Sequence, residues 1–235
     1  MMEAGEVTAL ELCSLYLDRI RDLDRGGPRL RSVIETSPDA LAVAAAMDAE
    51  RAATGPRSPL HGVCVLLKDN IDTAGHMHTT AGSLALVDSR PVGDAPIVTR
   101  LKEAGCVILG KANLSEWVSS DARLSCGIAA TGLLTSRPQA NFRGNSSSGW
   151  SGRGGQCLNP HVLSTTPSGS SSGSGSSVAA ALTALAIGSE TDGSIVSPAN
   201  VNGIVGKLDA LFVGVLVGVV VGVVVGVLVG RLPPR

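Results

Sequence analysis

Hydrophobic residues near the amino terminus recur at helical spacing. Thr8 and Glu11 have the spacing of a capping box, in which each side chain accepts a hydrogen bond from the other residue's backbone amide. The apolar residues around and after them share one helical face: Leu10, Cys13, Leu17 and Ile20. A second helix is predicted to open at Ser37 and Pro38, because serine caps helices, proline fits a first turn, and an alanine-rich stretch follows.

Short apolar runs predict buried strands between the helices. Residues 63–67 are nearly all apolar and lead into Lys68, and residues 106–109 form a second such run. A helix is predicted over residues 95–104. The alanine-rich segment 178–187 predicts a buried helix. Helices that alternate with apolar strands are typical of an α/β domain whose sheet is largely covered.

The carboxy-terminal segment departs from this order. Residues 211–230 contain only Leu, Phe, Val and Gly, with Gly at every fourth position. By length and lack of charge the segment qualifies as a transmembrane helix with a G-x-x-x-G face. Val and Gly are poor helix formers in water, however, and the strict period is typical of translated repetitive DNA or a frameshift. We favour this second interpretation over a membrane anchor.

Composition and charge narrow the functional classes. The formal net charge is −1 and neither sign forms a long run, which argues against nucleic-acid binding. Five scattered cysteines without a C-x-x-C pair indicate buried reduced thiols rather than a zinc or redox site. Glu3 and Glu6 stand where a secretory peptide would need positive charge, so we predict a cytoplasmic protein. His76 and His78 are interpreted as polar loop residues, so no metal site is expected, and no cofactor is expected either. The sequence does not indicate an oligomeric state.

Two clusters of Ser and Gly carry the candidate chemistry, at residues 168–174 and 188–195. A flexible linker is one interpretation of such composition. It explains poorly the Ile195 and Pro198 that follow the second cluster. The other interpretation is acyl transfer: a glycine-rich turn leaves backbone amides free to bind an oxyanion, and a serine there can act as nucleophile. Its base need not be histidine, since a neutral lysine can accept the proton.

Four ordered blocks resemble the amidase signature family. They are PSGSSSGS (167–174), GSETDGSIVSPA (188–199), PLHGVCVLLKDNI (59–71), and a block at 94–116 that contains LKEAGCVILGKANLSE. The resemblance covers roughly residues 5–117 and 140–207. It implies an α/β amidase-signature fold, in which a central mixed sheet has helices on both faces and the carboxy-terminal half is missing.

The resemblance also implies a catalytic triad. Ser194 matches the nucleophile, Ser170 the bridging serine after a cis peptide bond, and Lys68 the general base. The backbone amides that match the oxyanion hole belong to Thr191, Asp192, Gly193 and Ser194. Lys68 must be neutral to act, and burial beside residues 63–67 would lower its pKa, whereas a nearby Asp69 would oppose this.

A rival motif lies within the first cluster. Residues 169–173 fit G-x-S-x-G, the nucleophile elbow of α/β-hydrolases, with Ser171 in the centre. The elbow needs a strand directly before it, and residues 165–168 form a polar loop that contains Pro167. We therefore prefer the amidase interpretation.

Three features depart from the family pattern. Residues 118–139 separate blocks that the family joins closely, and we interpret them as an unrelated insert, either a retained intron or a loop specific to this protein; residues 144–156 resemble a genuine insertion in one branch. The match fades near Lys207, so residues 1–207 form a partial amidase domain and residues 208–235 a low-complexity tail. Val196 stands where many relatives carry arginine.

The predicted function is hydrolysis of a carboxamide C–N bond in a small-molecule amide, through an acyl-enzyme on Ser194. One alternative is the glutamine-hydrolysing A-type subunit of a tRNA-dependent amidotransferase, which would require partner subunits. Another is a non-catalytic truncated fragment, or the product of a wrongly assigned gene structure, that retains the motifs without a completed fold.

Overall fold

The computed structural model describes residues 2–116, 148–209 and 216–221 of the 235-residue chain. Its helices are α1 (Ala9–Arg19), α2 (Ala40–Thr54), α3 (Pro96–Glu103), α4 (Ser172–Ala179) and α5 (Val196–Val201). A π-helical turn (Ile20–Arg25) extends α1, and a 3-10 turn covers Leu84–Leu86. The strands are β1 (Val33–Thr36), β2 (Cys64–Lys68), β3 (Val107–Ala112), β4 (Trp150–Ser151), β5 (Gly155–Gln156), β6 (Leu185–Glu190), β7 (Val205–Asp209) and β8 (Leu216–Val221).

The first two helices begin close to the predicted positions. The capping box of α1 is confirmed, because Thr8 Oγ1 accepts from the Glu11 amide at 3.1 Å and Glu11 Oε2 accepts from the Thr8 amide at 2.8 Å. Its buried face differs slightly from the predicted one, since Leu10 is 39% exposed. Helix α2 begins at Ala40 with Asp39 as its N-cap, so it starts slightly after the predicted cap at Ser37 and first turn at Pro38.

A mixed six-stranded sheet organises the domain, in the order β1-β3-β2-β6-β8-β7. Strands β3, β2 and β6 are parallel neighbours. Strand β1 is antiparallel to β3, and β8 is antiparallel to both β6 and β7. Parallel strands need crossover connections, and the predicted helix over 95–104 supplies one as α3 between β2 and β3.

Successive side chains of β2 point to opposite faces of the sheet and belong to two separate hydrophobic cores. Cys64 and Leu66 pack with residues of α1, α2 and α4. Val65 and Leu67 pack with residues of α3, such as Val98 and Leu101. The sheet is therefore covered by helices on both faces, which confirms the predicted α/β arrangement.

The predicted helix over residues 178–187 was wrong. Helix α4 lies instead on the Ser/Gly cluster at Ser172–Ala179, and the second half of the apolar segment forms β6. Small residues make this possible, because a Cβ at Gly173 would collide with the Ser32 carbonyl oxygen and the Asn113 backbone. The helix is stabilised by its close approach to the sheet rather than by its intrinsic propensity.

Part of the valine–glycine tail lies in the sheet. Residues 216–221 form β8 between β6 and β7, so the alternative of a transmembrane helix does not hold for these residues. The rest of the 211–230 segment and the predicted insert at 118–139 lie outside the described residues. Among the described helices, none is both long enough and apolar enough to cross a membrane.

Candidate active site

Strand β2 carries a lysine into the protein interior. All five residues of the strand are buried, and Lys68 at its end has no exposed surface. Burial lowers the pKa of Lys68 to about 7, and the negative charge of Glu190 partly opposes this effect. A lysine in this environment exists to a large extent as the neutral amine near pH 7, which is the form that can accept a proton.

Ser170 lies directly against this amine. Lys68 Nζ is 2.7 Å from Ser170 Oγ and also donates to the carbonyl oxygen of Ser189 at 3.1 Å. The Gly169–Ser170 peptide bond is cis, as the family resemblance implied. The Ser170 carbonyl oxygen accepts from the Ser115 amide at 3.0 Å, which ties this turn to the chain beyond β3.

Ser194 lies in the turn between β6 and α5, and this turn is bonded to the segment that carries Ser170. Its carbonyl oxygen accepts from the Ser171 amide at 3.1 Å, so its backbone is bonded to the residue that follows Ser170. Ser194 is buried, with 6% of its surface exposed. The structure thus brings the Lys68, Ser170 and Ser194 segments together, from β2, the turn before α4 and the turn after β6.

A carboxylate that the sequence did not single out organises the Ser194 turn. Glu190 accepts from the backbone amides of Gly193 at 2.8 Å, Ile195 at 2.6 Å and Val196 at 2.9 Å. A carboxylate bound by several amides is a strong acceptor in a buried setting. Of the amides expected in the oxyanion hole, that of Gly193 is therefore already bonded to Glu190 in this structure.

Two further contacts join the turn before α4 to helix α5. Ser168 Oγ and Ser197 Oγ are 2.7 Å apart. The buried Asn202 side chain donates to the carbonyl oxygens of Pro167 at 2.9 Å and Pro198 at 2.8 Å. Sequence reasoning missed Asn202 and Glu190, because neither has a spacing that predicts its long-range partners.

Asp69 does not act on the neighbouring lysine as expected. Its carboxylate accepts from Thr80 Oγ1 at 2.5 Å and from the Gly82 amide at 3.1 Å, and the acidic side chain that raises the pKa of Lys68 is Glu190. Asp69 instead raises the pKa of a second buried lysine, Lys111, against a larger lowering by burial, which leaves that pKa at about 8.

The residues of the rival motif and the two histidines form neither a nucleophile elbow nor a metal site in the described residues. No strand precedes Ser171, whose hydroxyl donates to the Ser189 carbonyl oxygen at 3.2 Å, so the nucleophile-elbow geometry is absent from residues 157–171. His76 Nδ1 lies 2.7 Å from Asp39, and His78 Nδ1 lies 3.1 Å from Glu35. In the described residues, no three His, Cys, Asp or Glu side chains are grouped as metal ligands.

With this geometry established, comparison with known proteins gives the class. The chain matches the Amidase family over residues 11–207. This span includes all the elements that carry Lys68, Ser170 and Ser194. The protein therefore belongs to the amidase family.

Particular relatives refine this assignment. A probable amidase from Arabidopsis thaliana is 49% identical over 203 residues, which cover 85% of this chain and 35% of that protein. The A-type subunit of the glutamyl-tRNA(Gln) amidotransferase of Heliobacterium modesticaldum is 36% identical over 202 residues, covering 86% and 35% respectively. The native peptide amidase from Stenotrophomonas maltophilia superposes with a TM-score of 0.74 at 53% identity, over 88% of this chain and 38% of that one. The chain thus spans about a third of the length of these curated relatives.

Proposed function

We propose that this chain is an amidase-type serine hydrolase that cleaves a carboxamide C–N bond in a small-molecule amide. The observation that carries the proposal is the 2.7 Å contact between Lys68 Nζ and Ser170 Oγ, inside a buried site bonded to the Ser194 turn. A buried lysine with a pKa of about 7 and a hydroxyl partner is a suitable base near neutral pH.

In the proposed reaction, the hydroxyl of Ser194 is the nucleophile. Ser170 passes the Ser194 proton to neutral Lys68 while Ser194 Oγ attacks the carbonyl carbon of the amide. The proton then returns through Ser170 to the departing nitrogen, which leaves as ammonia or an amine. Water attacks the resulting acyl-enzyme by the same proton route, releasing the carboxylic acid and restoring Ser194.

The negative oxygen formed in this attack needs hydrogen-bond donors. We assign this role to the backbone amides of Thr191, Asp192 and Ser194, and to that of Gly193 once its N–H turns from Glu190 to the oxyanion. Losing one such donor typically reduces the rate by about 100- to 1,000-fold. Glu190 fixes the turn by holding the amides on either side of Ser194.

A fluorophosphonate probe tests the nucleophile directly, because it reacts with activated serines. The full chain should be labelled, and the Ser194→Ala variant should not. Ser164→Ala is a matched control, since Ser164 is exposed and lies outside the site. Labelling that persists in Ser194→Ala, or that is lost in Ser171→Ala while Ser194→Ala retains it, would refute the assignment.

One observation supports a second candidate, a non-catalytic fragment: the chain spans about a third of its curated relatives. A wild-type chain that takes no label and shows no cooperative unfolding transition would favour this second candidate, and a cooperative transition would argue against it. The A-type subunit of an amidotransferase is a third possibility. The lower identity to the amidotransferase protein (36%) than to the probable amidase (49%) favours the stand-alone hydrolase. Co-purification with partner subunits would reverse that preference.

A further inference from the structure

A cavity of about 350 Å³ lies beside the π-helical turn and β1, and shares no lining residue with the Lys68 site. Four of its lining residues are arginines: Arg25, Arg29, Arg31 and Arg153. Val33 and Ile34 supply an apolar wall, and Asp24 is the acidic residue in the lining. Cavities of roughly 300–1,000 Å³ are the size that small ligands occupy.

Backbone contacts fix the loop that presents two of these arginines. Arg29 and Arg31 have φ angles of 56° and 53°, in the left-handed region that residues other than glycine rarely adopt. Between them Leu30 is buried, and its amide donates to the Leu23 carbonyl oxygen at 3.2 Å. The Arg31 amide donates to the carbonyl oxygen of Asp24 at 3.2 Å. The two guanidinium groups are therefore carried on a pinned, strained segment rather than on a loose loop.

Three of the four guanidinium groups in the cavity form no ion pair with a described residue. In the part of the chain that the structure describes, no carboxylate lies within 4.0 Å of the guanidinium of Arg25, Arg29 or Arg31. Arg153 differs from these three, because its guanidinium pairs with Glu35 at 2.5 Å and its Nη1 atom lies 3.8 Å from Asp69 Oδ1. Arg25, Arg29 and Arg31 are exposed, and a bound anion would relieve what repulsion between their charges remains in water.

The acidic residue of the lining is already engaged. One Asp24 carboxylate oxygen accepts from the amide and hydroxyl of Ser32 at 2.7 and 2.5 Å, and the other accepts from the Val33 amide at 3.1 Å. Burial raises the pKa of Asp24, and these hydrogen bonds and the positive charge of Arg25 oppose that rise. The carboxylate thus anchors the start of β1 and forms no ion pair with the arginines that share the cavity.

We propose that this cavity is a binding site for a small ligand that carries more than one oxyanion group, phosphate or carboxylate. The planar guanidinium fork matches both groups with paired N–H···O bonds. The apolar wall of Val33 and Ile34 would contact the uncharged part of the ligand. The site is independent of the proposed amide hydrolysis, because its residues lie outside the Lys68, Ser170 and Ser194 group.

Calorimetric titration of the full chain with pyrophosphate and with citrate tests this site, each at ionic strength matched with NaCl. We expect saturable binding of at least one probe, and the comparison of the two shows whether phosphate or carboxylate is preferred. The double variant Arg29→Gln/Arg31→Gln should bind at least about tenfold more weakly, since charge-assisted hydrogen bonds to two side chains are lost. Arg100→Gln, an exposed arginine of α3, makes the same charge change per residue and should bind as wild type does.

The double variant must unfold cooperatively without ligand for its result to count as lost binding. If it does not fold, Arg25→Gln replaces it, because Arg25 lines the same cavity from the end of the π-helical turn and is exposed. Absence of saturable binding by both probes in the wild-type chain would overturn the proposal. Equal weakening by Arg100→Gln and by the cavity variants would also overturn it, since that result describes a general charge effect.

Discussion

Replacing Lys68 with methionine should stabilise the fold near neutral pH. The pKa of Lys68 is lowered by burial from 10.5 to about 7. At 1.36 kcal/mol for each pKa unit, burial of the charged form of Lys68 lowers the free energy of unfolding by roughly 4–5 kcal/mol below pH 7. Methionine has a similar length and no charge, so the Lys68→Met variant does not carry this penalty.

This gain in unfolding free energy is partly offset by the hydrogen bonds that Lys68 no longer forms. Lys68 Nζ donates to the Ser189 carbonyl oxygen and contacts Ser170 Oγ, and each bond contributes about 1 kcal/mol net. We therefore expect Lys68→Met to raise the free energy of unfolding by about 2 kcal/mol at pH 7, from these opposing terms. The same variant should lose fluorophosphonate labelling, because the proposed base is gone.

The pH dependence of the difference is the sharper test. A lysine whose pKa is lowered on folding destabilises the fold most fully below its folded pKa, and this effect disappears as pH rises toward the unfolded value. The advantage of Lys68→Met should therefore shrink by about 1.4 kcal/mol per pH unit above pH 7.5, and reverse near pH 9. Lys111, with a pKa of about 8, titrates in both proteins and cancels in the difference.

Urea unfolding followed by circular dichroism, from pH 6.5 to 9.5, measures both free energies. Lys102→Met is the control, because it makes the same substitution at a lysine whose side chain is 41% exposed and pairs with Asp94 at 2.6 Å, outside the Lys68 site. The difference between the unfolding free energies of Lys102→Met and wild type should not reverse sign within this range. If the unfolding free energies of wild type and Lys68→Met change in parallel with pH, the argument that burial favours the neutral form of Lys68 is refuted.

Two further substitutions test the framework around the site. Glu190→Gln replaces a carboxylate that accepts from three backbone amides with an amide that has a single acceptor oxygen, so we expect a loss of about 2 kcal/mol in unfolding free energy. Because Glu190 raises the pKa of Lys68, the midpoint of fluorophosphonate labelling against pH should also move to lower pH in this variant. Exposed Glu103→Gln should change neither, and a profile that moves to higher pH would contradict the electrostatic argument. Gly173→Ala should lower the unfolding free energy by at least about 2 kcal/mol, since its Cβ would collide with backbone atoms. Gly93→Ala is the control, because there is open space around Gly93, and its unfolding free energy should stay within about 0.5 kcal/mol of wild type. Equal urea midpoints for the two variants would contradict the packing described for α4.

Local signals in the sequence predicted the elements that depend on local physics. The capping box of Thr8 and Glu11 begins α1, and the apolar runs before Lys68 and after Gly105 lie in β2 and β3. The run at 106–109 underestimated β3, which continues to Ala112 through Gly110 and Lys111. Lys111 was outside the pattern because its burial depends on acceptors in another segment, the Ile71 carbonyl oxygen and Thr79.

The errors follow from contacts between distant residues. A helix in a run of Ser and Gly contradicts intrinsic propensity, and α4 forms there because Gly173 lets the helix approach the Asn113 backbone closely. The alanine-rich segment that looked helical instead enters the sheet, where Leu185, Ala186 and Ile187 pair with Val65, Leu66 and Leu67 of β2. Glu190 likewise acquires its role only once the turn after β6 folds back on it.

The candidate site needs few elements, and the structure places all of them within the family match. Lys68 ends β2, Ser170 precedes α4, and Ser194 follows β6, which is the parallel neighbour of β2. Because carboxyl ends of parallel strands meet at one edge of a sheet, Lys68 and the Ser194 turn are brought together by the β2–β6 pair itself. Strand β8 covers the other side of β6, so that strand is paired along both edges. A covalent probe that reports on Ser194 therefore tests an arrangement held by the sheet, Glu190 and Asn202, and it does so without knowledge of the amide that the site accepts.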